Sequence, residues 1–175
     1  MQGTGKRKQP IPPVYAILAI ILLIAVAILY ARRERYGLSE GDLMPRFILE
    51  DHQARRFDSS ALWGKVVVIA FWKVSAEASA AEIKGLDDLR KTYGDRGFEA
   101  VGISLDEEEK YVKAFVARHQ VRIPLLIGSR ETAHLFGGIK GVPTIYIFDR
   151  EGRVKEVLEG FRGKQAIEEK ILELL

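Results

Sequence analysis

The chain has 175 residues, of which 47% are hydrophobic, and 27 Lys/Arg against 24 Asp/Glu give a formal charge of +3. That length suits one domain with a single core plus an appendage, not two domains. The positive balance sits at the N-terminus, where residues 1–36 hold six Lys/Arg and one Glu. The remainder carries slightly more acid than base and has no basic stripe with interleaved aromatics, which excludes a nucleic-acid-binding surface of the usual kind.

Residues 1–13 form a short basic tail with Lys6, Arg7 and Lys8. No charge occurs from Gln9 to Ala31, and Val14 to Ala31 is almost wholly aliphatic with Tyr15 and Tyr30 near its ends. At about 1.5 Å per residue, such a helix approaches the thickness of a bilayer's hydrocarbon layer. Two readings fit, a spanning signal-anchor helix over 14–31 or a cleaved leader using the small residues Ala25-Val26-Ala27. The apolar run continues past that point, which favours the anchor. Flanking charge does not orient it, because Arg32, Arg33 and Arg35 balance the three basic residues on the other side.

Residues 32–40 read as a polar connector, and Phe47 to Glu50 with Phe57 as small leading strands. Val66 to Trp72 is an unbroken apolar run suited to a central strand buried on both faces. The period then becomes helical at Ile83, Leu86, Leu89 and Tyr93. A strand over Phe98 to Leu105 follows, then an amphipathic helix over Glu107 to His119 with Val112, Phe115 and Val116 inward, and a strand over Ile123 to Ile127. Arg130 to Phe136 reads as a short helix. Gly141-Val142-Pro143-Thr144 opens a hairpin of strands Ile145 to Phe148 and Val154 to Leu158, and Lys164 to Leu175 closes the chain as a helix with Ile167, Ile171 and Leu174 on one face.

In this order, several features resemble the TlpA-like and ResA-like membrane-anchored thiol:disulfide oxidoreductases of the thioredoxin superfamily. They are Gly41-Asp42-Leu43-Met44-Pro45-Arg46-Phe47, Gly64-Lys65, Phe71-Trp72, Glu82, the strand from Phe98 to Ser104 and the Gly-Val-Pro-Thr turn. The resemblance covers residues 41–175. It implies an α/β thioredoxin-like fold with an N-terminal strand extension and a central helix–strand insertion. It also implies a cis bond before Pro143, and a domain on the extracytoplasmic side of a bacterial membrane.

The departure lies at the reactive turn. Ala76 and Ser79 stand where the resembling proteins carry Cys-x-x-Cys, Ser75 replaces the preceding tryptophan, and the chain has no cysteine at all. Ala76 has nothing to ionise, and the Ser79 hydroxyl has neither a partner histidine nor a nucleophile-elbow sequence. Helix-start roles fit these residues better: Ser79 with Glu82 spells a capping box, and Ser75 can cap the helix with Glu77 in its first turn. Glu82 matches the acid that lies beside the cysteine pair in the resembling enzymes, and here reads as a capping or pairing carboxylate. The binding groove is expected from Trp72, Ser75, Glu77, Glu82, Val142, Pro143 and Thr144, with a protein or peptide segment as occupant and the membrane as the second partner.

His52, His119 and His134 are scattered without metal-ligand spacing, so neither metal nor cofactor is expected. Asp106 to Glu109 reads as a helix N-terminal charge cluster rather than a calcium loop, and Gly137 to Gly141 lacks the order of a phosphate-binding loop. The functional expectation is a tethered binding or assembly module near thiol-exchange or cytochrome-maturation systems. Its rival is a TlpA-like or peroxiredoxin-like redox component that works with a partner's thiols.

Overall fold

The structure, a computed structural model, describes residues 13–31 and 37–175. The chain divides into two units, Met1–Arg35 and Tyr36–Leu175. The first contains helix α1, Pro13–Ala31, which starts one residue before the expected anchor. Proline suits that first helical position, since its missing N–H would have no intrahelical partner. The basic tail, apart from Pro13, and residues 32–36 of the connector lie outside the described residues. The span expected over 14–31 falls partly on side chains outside them as well. Among those described, no helix is long and apolar enough to cross a membrane.

The second unit is a thioredoxin-like α/β domain. Its five-stranded sheet has the order β5-β4-β3-β6-β7, formed by β3 (Val66–Trp72), β4 (Phe98–Ser104), β5 (Leu125–Ile127), β6 (Thr144–Phe148) and β7 (Val154–Glu159). Strands β3, β4 and β5 run parallel, while β6 is antiparallel to both β3 and β7. A two-stranded antiparallel ribbon, β1 (Ile48–Glu50) with β2 (Arg56–Asp58), precedes the sheet and touches β5 through the Asp51–Leu126 bridge. Helices α2 (Glu77–Tyr93), α3 (Glu109–His119), α4 (Arg130–Leu135) and α5 (Lys164–Leu172) complete the unit.

The continuous apolar run of β3 is explained by burial on both faces. Val66, Val68, Ala70 and Trp72 join the cluster containing Ile83, Leu86 and Leu89 of α2, Phe115 of α3 and Ile167 of α5. The alternate residues Val67, Ile69 and Phe71 join Phe47, Phe136 and Tyr146 on the other face. Each large side chain so buried contributes about 1.5–3 kcal/mol, and the period-2 alternation of a strand divides them between the layers.

The added helix and strand are tied to α2 by Asp87. Its Oδ1 accepts from the N–H groups of Arg122 (2.7 Å) and Ile123 (3.1 Å), and its Oδ2 pairs with Lys91 Nζ at 2.7 Å. Burial pushes the Asp87 pKa up, but the bonds from Lys91 and the two backbone N–H groups outweigh it and hold the carboxyl below its ordinary value.

Several boundaries are tighter than the sequence indicates. The third helix begins at Glu109 rather than Glu107, and β5 begins at Leu125 rather than Ile123. Asp106, ahead of that helix, bonds backward through its carboxylate to the N–H of Val74 just after β3 and to the Ser104 hydroxyl at the end of β4. Residues 37–40 are bound into the domain rather than linking to it, with the N–H of Gly37 donating to Gly137 C=O at 2.8 Å and the N–H of Ser39 to Asp42 Oδ2 at 2.8 Å.

Candidate functional site

The site forms at the C-terminal ends of β3 and β4, where the turn 73–76 leads into α2. This turn is held from outside. Asp106 Oδ2 accepts from the N–H of Val74 (2.9 Å) and from the Ser104 hydroxyl (2.8 Å), and Leu105 N–H donates to Trp72 C=O at 2.9 Å. Within the turn, Ala76 N–H donates to Lys73 C=O at 3.2 Å.

Ala76 is the N-cap of α2 and supplies no side-chain bond. The expected capping box is absent, and Ser75 does not cap the helix either. Ser79 is one turn too deep for the role: it is fully buried and its Oγ has no hydrogen-bond partner among the described residues. Glu77 is exposed in the first turn, where a negative charge suits the helix dipole.

Glu82 is buried and does not face a groove. Its Oε2 accepts from the N–H of Arg162 at 2.9 Å and of Gly163 at 3.4 Å, so it pins the loop between β7 and α5; Oε1 has no partner among the described residues. The expected pairing near its own helix start is replaced by a contact 80 residues away in sequence.

Trp72 is likewise removed from the surface. It is fully buried with its ring 4.8 Å from that of Phe115, and its Nε1 has no hydrogen-bond partner among the described residues. Gly102 on the neighbouring strand makes room for it. A Cβ there would lie 3.1 Å from Trp72 Nε1, 2.9 Å from Ile83 Cδ1 and 2.6 Å from Leu125 Cδ2. As the last residue of a doubly covered strand, Trp72 takes the α2 side by alternation, so it cannot offer apolar contact to a partner.

On the other side of the turn, the Val142–Pro143 peptide is cis. Pro143 and Thr144 are buried, and the Thr144 hydroxyl donates to Gly141 C=O at 2.7 Å, leaving it no outward role. Val142 differs. It is half-buried, and neither its N–H nor its C=O has a hydrogen-bond partner among the described residues.

Two adjoining clefts join Ser75 to Val142. One, of about 450 Å³, runs along Lys73, Val74, Ser75, Glu108 and Tyr111. The other, of about 690 Å³, runs along Leu105, Ser129, Arg130, Ile139 and Val142. Lys73, Asp106 and Glu107 line both. Of the groove residues expected from sequence, Ser75 and Val142 therefore line a joined depression, Glu77 lies at the surface, and Trp72, Glu82, Pro143 and Thr144 support it from within.

Residues 41–157, well over half of the chain, match the AhpC/TSA family. The chain belongs to that family. As an AhpC/TSA protein it is similar to the thiol-disulfide oxidoreductase ResA of Geobacillus thermodenitrificans, with 24% identity covering 94% of this chain and 95% of the relative. It is similar also to the thioredoxin-like protein YneN of Bacillus subtilis, 27% identical over 81% of this chain and 84% of that protein. Among solved structures, a thiol:disulfide interchange protein of the thioredoxin family from Chlorobium tepidum superposes with a TM-score of 0.72 at 26% identity, covering 79% of this chain and 99% of that one.

Dithiol exchange and peroxide reduction at a cysteine both require a thiolate. This AhpC/TSA chain contains no cysteine. What remains at the position is a turn held by Asp106, a joined cleft and, at Val142, main-chain groups without a partner among the described residues.

Two features of the site escape a reading of the sequence. Asp106 reads as one of four consecutive acids, and nothing local marks it as the residue that reaches back to Val74. The loop Gly160-Phe161-Arg162-Gly163 carries a visible signal, an aromatic residue set between glycines directly after a strand, but its meaning depends on contacts with Pro143 and Glu82.

Proposed function

We propose that this protein is a thioredoxin-like binding module that receives an extended protein segment along Val142 and performs no thiol exchange of its own. The observation that carries this reading is the unpaired N–H and C=O of Val142 at the rim of the cleft. An extended peptide can pair with such groups as a strand pairs with a sheet edge. Loss of the thiols leaves that recognition intact, since main-chain pairing uses neither sulfur.

The module acts from the outer face of a bacterial cytoplasmic membrane, tethered by α1. In support, the sequence carries no charge from Gln9 to Ala31 and is almost wholly aliphatic from Val14 to Ala31, the composition a bilayer's hydrocarbon layer selects. The resemblance to anchored oxidoreductases supplies the orientation. The module's ligand is a partner protein of a thiol-exchange system, a setting supported by the names of the thiol-disulfide oxidoreductases it is similar to.

The test uses a photo-crosslinking amino acid at position 140 of the full chain in its native membrane. A discrete adduct with one protein is expected, and Val142→Glu should abolish it because a charge at the rim opposes close strand pairing. An adduct of undiminished yield from the folded Val142→Glu chain would show that partners bind elsewhere.

A further inference from the structure

A separate cleft, of about 510 Å³, lies between the turn of the β1–β2 ribbon and the segment that joins α3 to β5. It shares no lining residue with the clefts at Ser75 and Val142. Its size is that of sites which enclose small organic ligands. One wall carries His52, Arg55, Arg56 and Phe57, and the other Val121, Arg122 and Ile123.

The charge of this cleft is not balanced, since three arginines line it against one acid, Asp51. That buried carboxylate is fully engaged. Its Oδ1 accepts from the N–H groups of Gln53 and Arg55, and its Oδ2 holds the Arg55 guanidinium through Nε at 2.8 Å and Nη2 at 2.7 Å. Arg55 is thereby oriented before any ligand arrives, and its fork keeps donors that Asp51 does not use. From the opposite wall, the backbone of Arg122 is placed by its own N–H, which donates to Asp87 Oδ1 at 2.7 Å. Its guanidinium forms no ion pair among the described residues. The acids that share a neighbouring depression with it are already paired, Asp87 with Lys91, and Glu99 with Arg90 and Lys65. Arg56 stands opposite Glu50 in the ribbon and near Asp58, again without an ion pair among the described residues.

The backbone on both sides of the cleft is unusual. Among the described residues, the two non-glycine residues with positive φ are Ala54, at +59°, and Gln120, at +55°. One directly precedes Arg55 and the other directly precedes Val121. Such conformations are costly, and they cluster at functional sites and ligand clamps. His52 Nδ1 is buried without a hydrogen-bond partner among the described residues, a further cost in the same wall. One exposed arginine is ordinary on a protein surface; three on a cleft whose acid is already engaged are not.

We propose that this cleft binds a small organic anion, its carboxylate or phosphate held between Arg55 and Arg122 and its apolar body laid against Phe57, Val121 and Ile123. Guanidinium forks match the paired oxygens of carboxylates and phosphates. The apolar lining favours an anion with a hydrocarbon body, because an inorganic ion leaves that surface in water.

The test titrates the full chain, in an uncharged maltoside detergent, with phenyl phosphate, phenylacetate and inorganic phosphate, read by amide NMR shifts. At least one organic probe should shift residues 51–57 and 116–124 selectively, with an affinity about tenfold or more above that of inorganic phosphate. Arg122→Gln keeps the N–H that bonds Asp87 and should weaken that probe about tenfold, as should Arg56→Gln on the other wall. Lys155→Gln, on β7, should leave the affinity unchanged, and circular dichroism checks the fold of each variant. Equal losses in all three variants would show general charge attraction and overturn the site, as would no shift in these segments at about 10 mM probe. Equal affinity for inorganic phosphate would overturn the organic body. Displacement of the probe by mixed micelles containing phosphatidylglycerol would assign the site to a lipid headgroup and overturn the small-molecule ligand.

Discussion

Replacing Glu82 by alanine tests whether this buried carboxyl serves as a pin. The substitution leaves Arg162 N–H and Gly163 N–H without their acceptor, and the bonds it removes are 2.9 and 3.4 Å long. The shorter one dominates, and an orphaned donor of this kind costs about 1–3 kcal/mol, toward the lower end where water can reach it. Deleting the buried Cγ methylene adds about 0.8 kcal/mol. Against this, Oε1 is buried without a partner among the described residues, so removing the carboxyl relieves a desolvation cost similar in kind. The net expectation is a loss of about 1–2 kcal/mol. Glu82→Gln keeps both the methylenes and an acceptor, and should cost less than half as much. Urea unfolding of the full chain in detergent, followed by the combined fluorescence of buried Trp72 and the more exposed Trp63, measures the stability. Amide exchange at Arg162 and Gly163 should accelerate about tenfold for each 1.4 kcal/mol of local opening. If Glu82→Ala matches the wild type, or if glutamine costs as much as alanine, the acceptor role is refuted.

Restoring the thiols gives an independent check of the turn. Wild-type protein should not accelerate insulin reduction by dithiothreitol, whereas Ala76→Cys with Ser79→Cys should form a reducible pair and do so, with the more accessible position 76 as the attacking thiol. Failure of the two cysteines to oxidise would show that the turn lacks disulfide geometry. Protease added to spheroplasts should digest the domain, and digestion only after lysis would reverse the proposed topology. Asp87 predicts an acid limb in stability: its carboxyl is held below its ordinary pKa. Its contribution is complete above the unfolded value near 3.8, and is lost as pH falls through the lower folded value. Asp87→Asn should flatten that limb in acid titrations of the unfolding midpoint, and an unaltered limb would remove Asp87 as its source.

The fold was legible wherever the pattern is local. The unbroken apolar run of β3 announced two-sided burial, and the spacing of Ile83, Leu86 and Leu89 gave the inward face of α2. Site residues were legible in position but not in orientation. Trp72 ends a strand whose alternation decides which way it points, and only Phe115 and the opening at Gly102 show that the inward side can accept an indole. The Ser79–Glu82 spacing spelled a capping box, yet an acceptor is used where donors compete for it most effectively. For Glu82 those donors lie in a loop brought close by β7 and α5 packing. The glycines around Phe161 mark a turn, but a single aromatic residue in a loop carries no period that would show what the turn contacts.

Asp106 has a consequence for how such a protein can change over generations. Because its carboxylate and the Ser104 hydroxyl fasten the turn at Val74, the shape of that turn is specified by residues that take no part in sulfur chemistry. Substitutions at positions 76 and 79 can then leave that fastening in place. Architecture and reactivity are separately encoded in this corner of the molecule, and a lineage can discard one while inheriting the other.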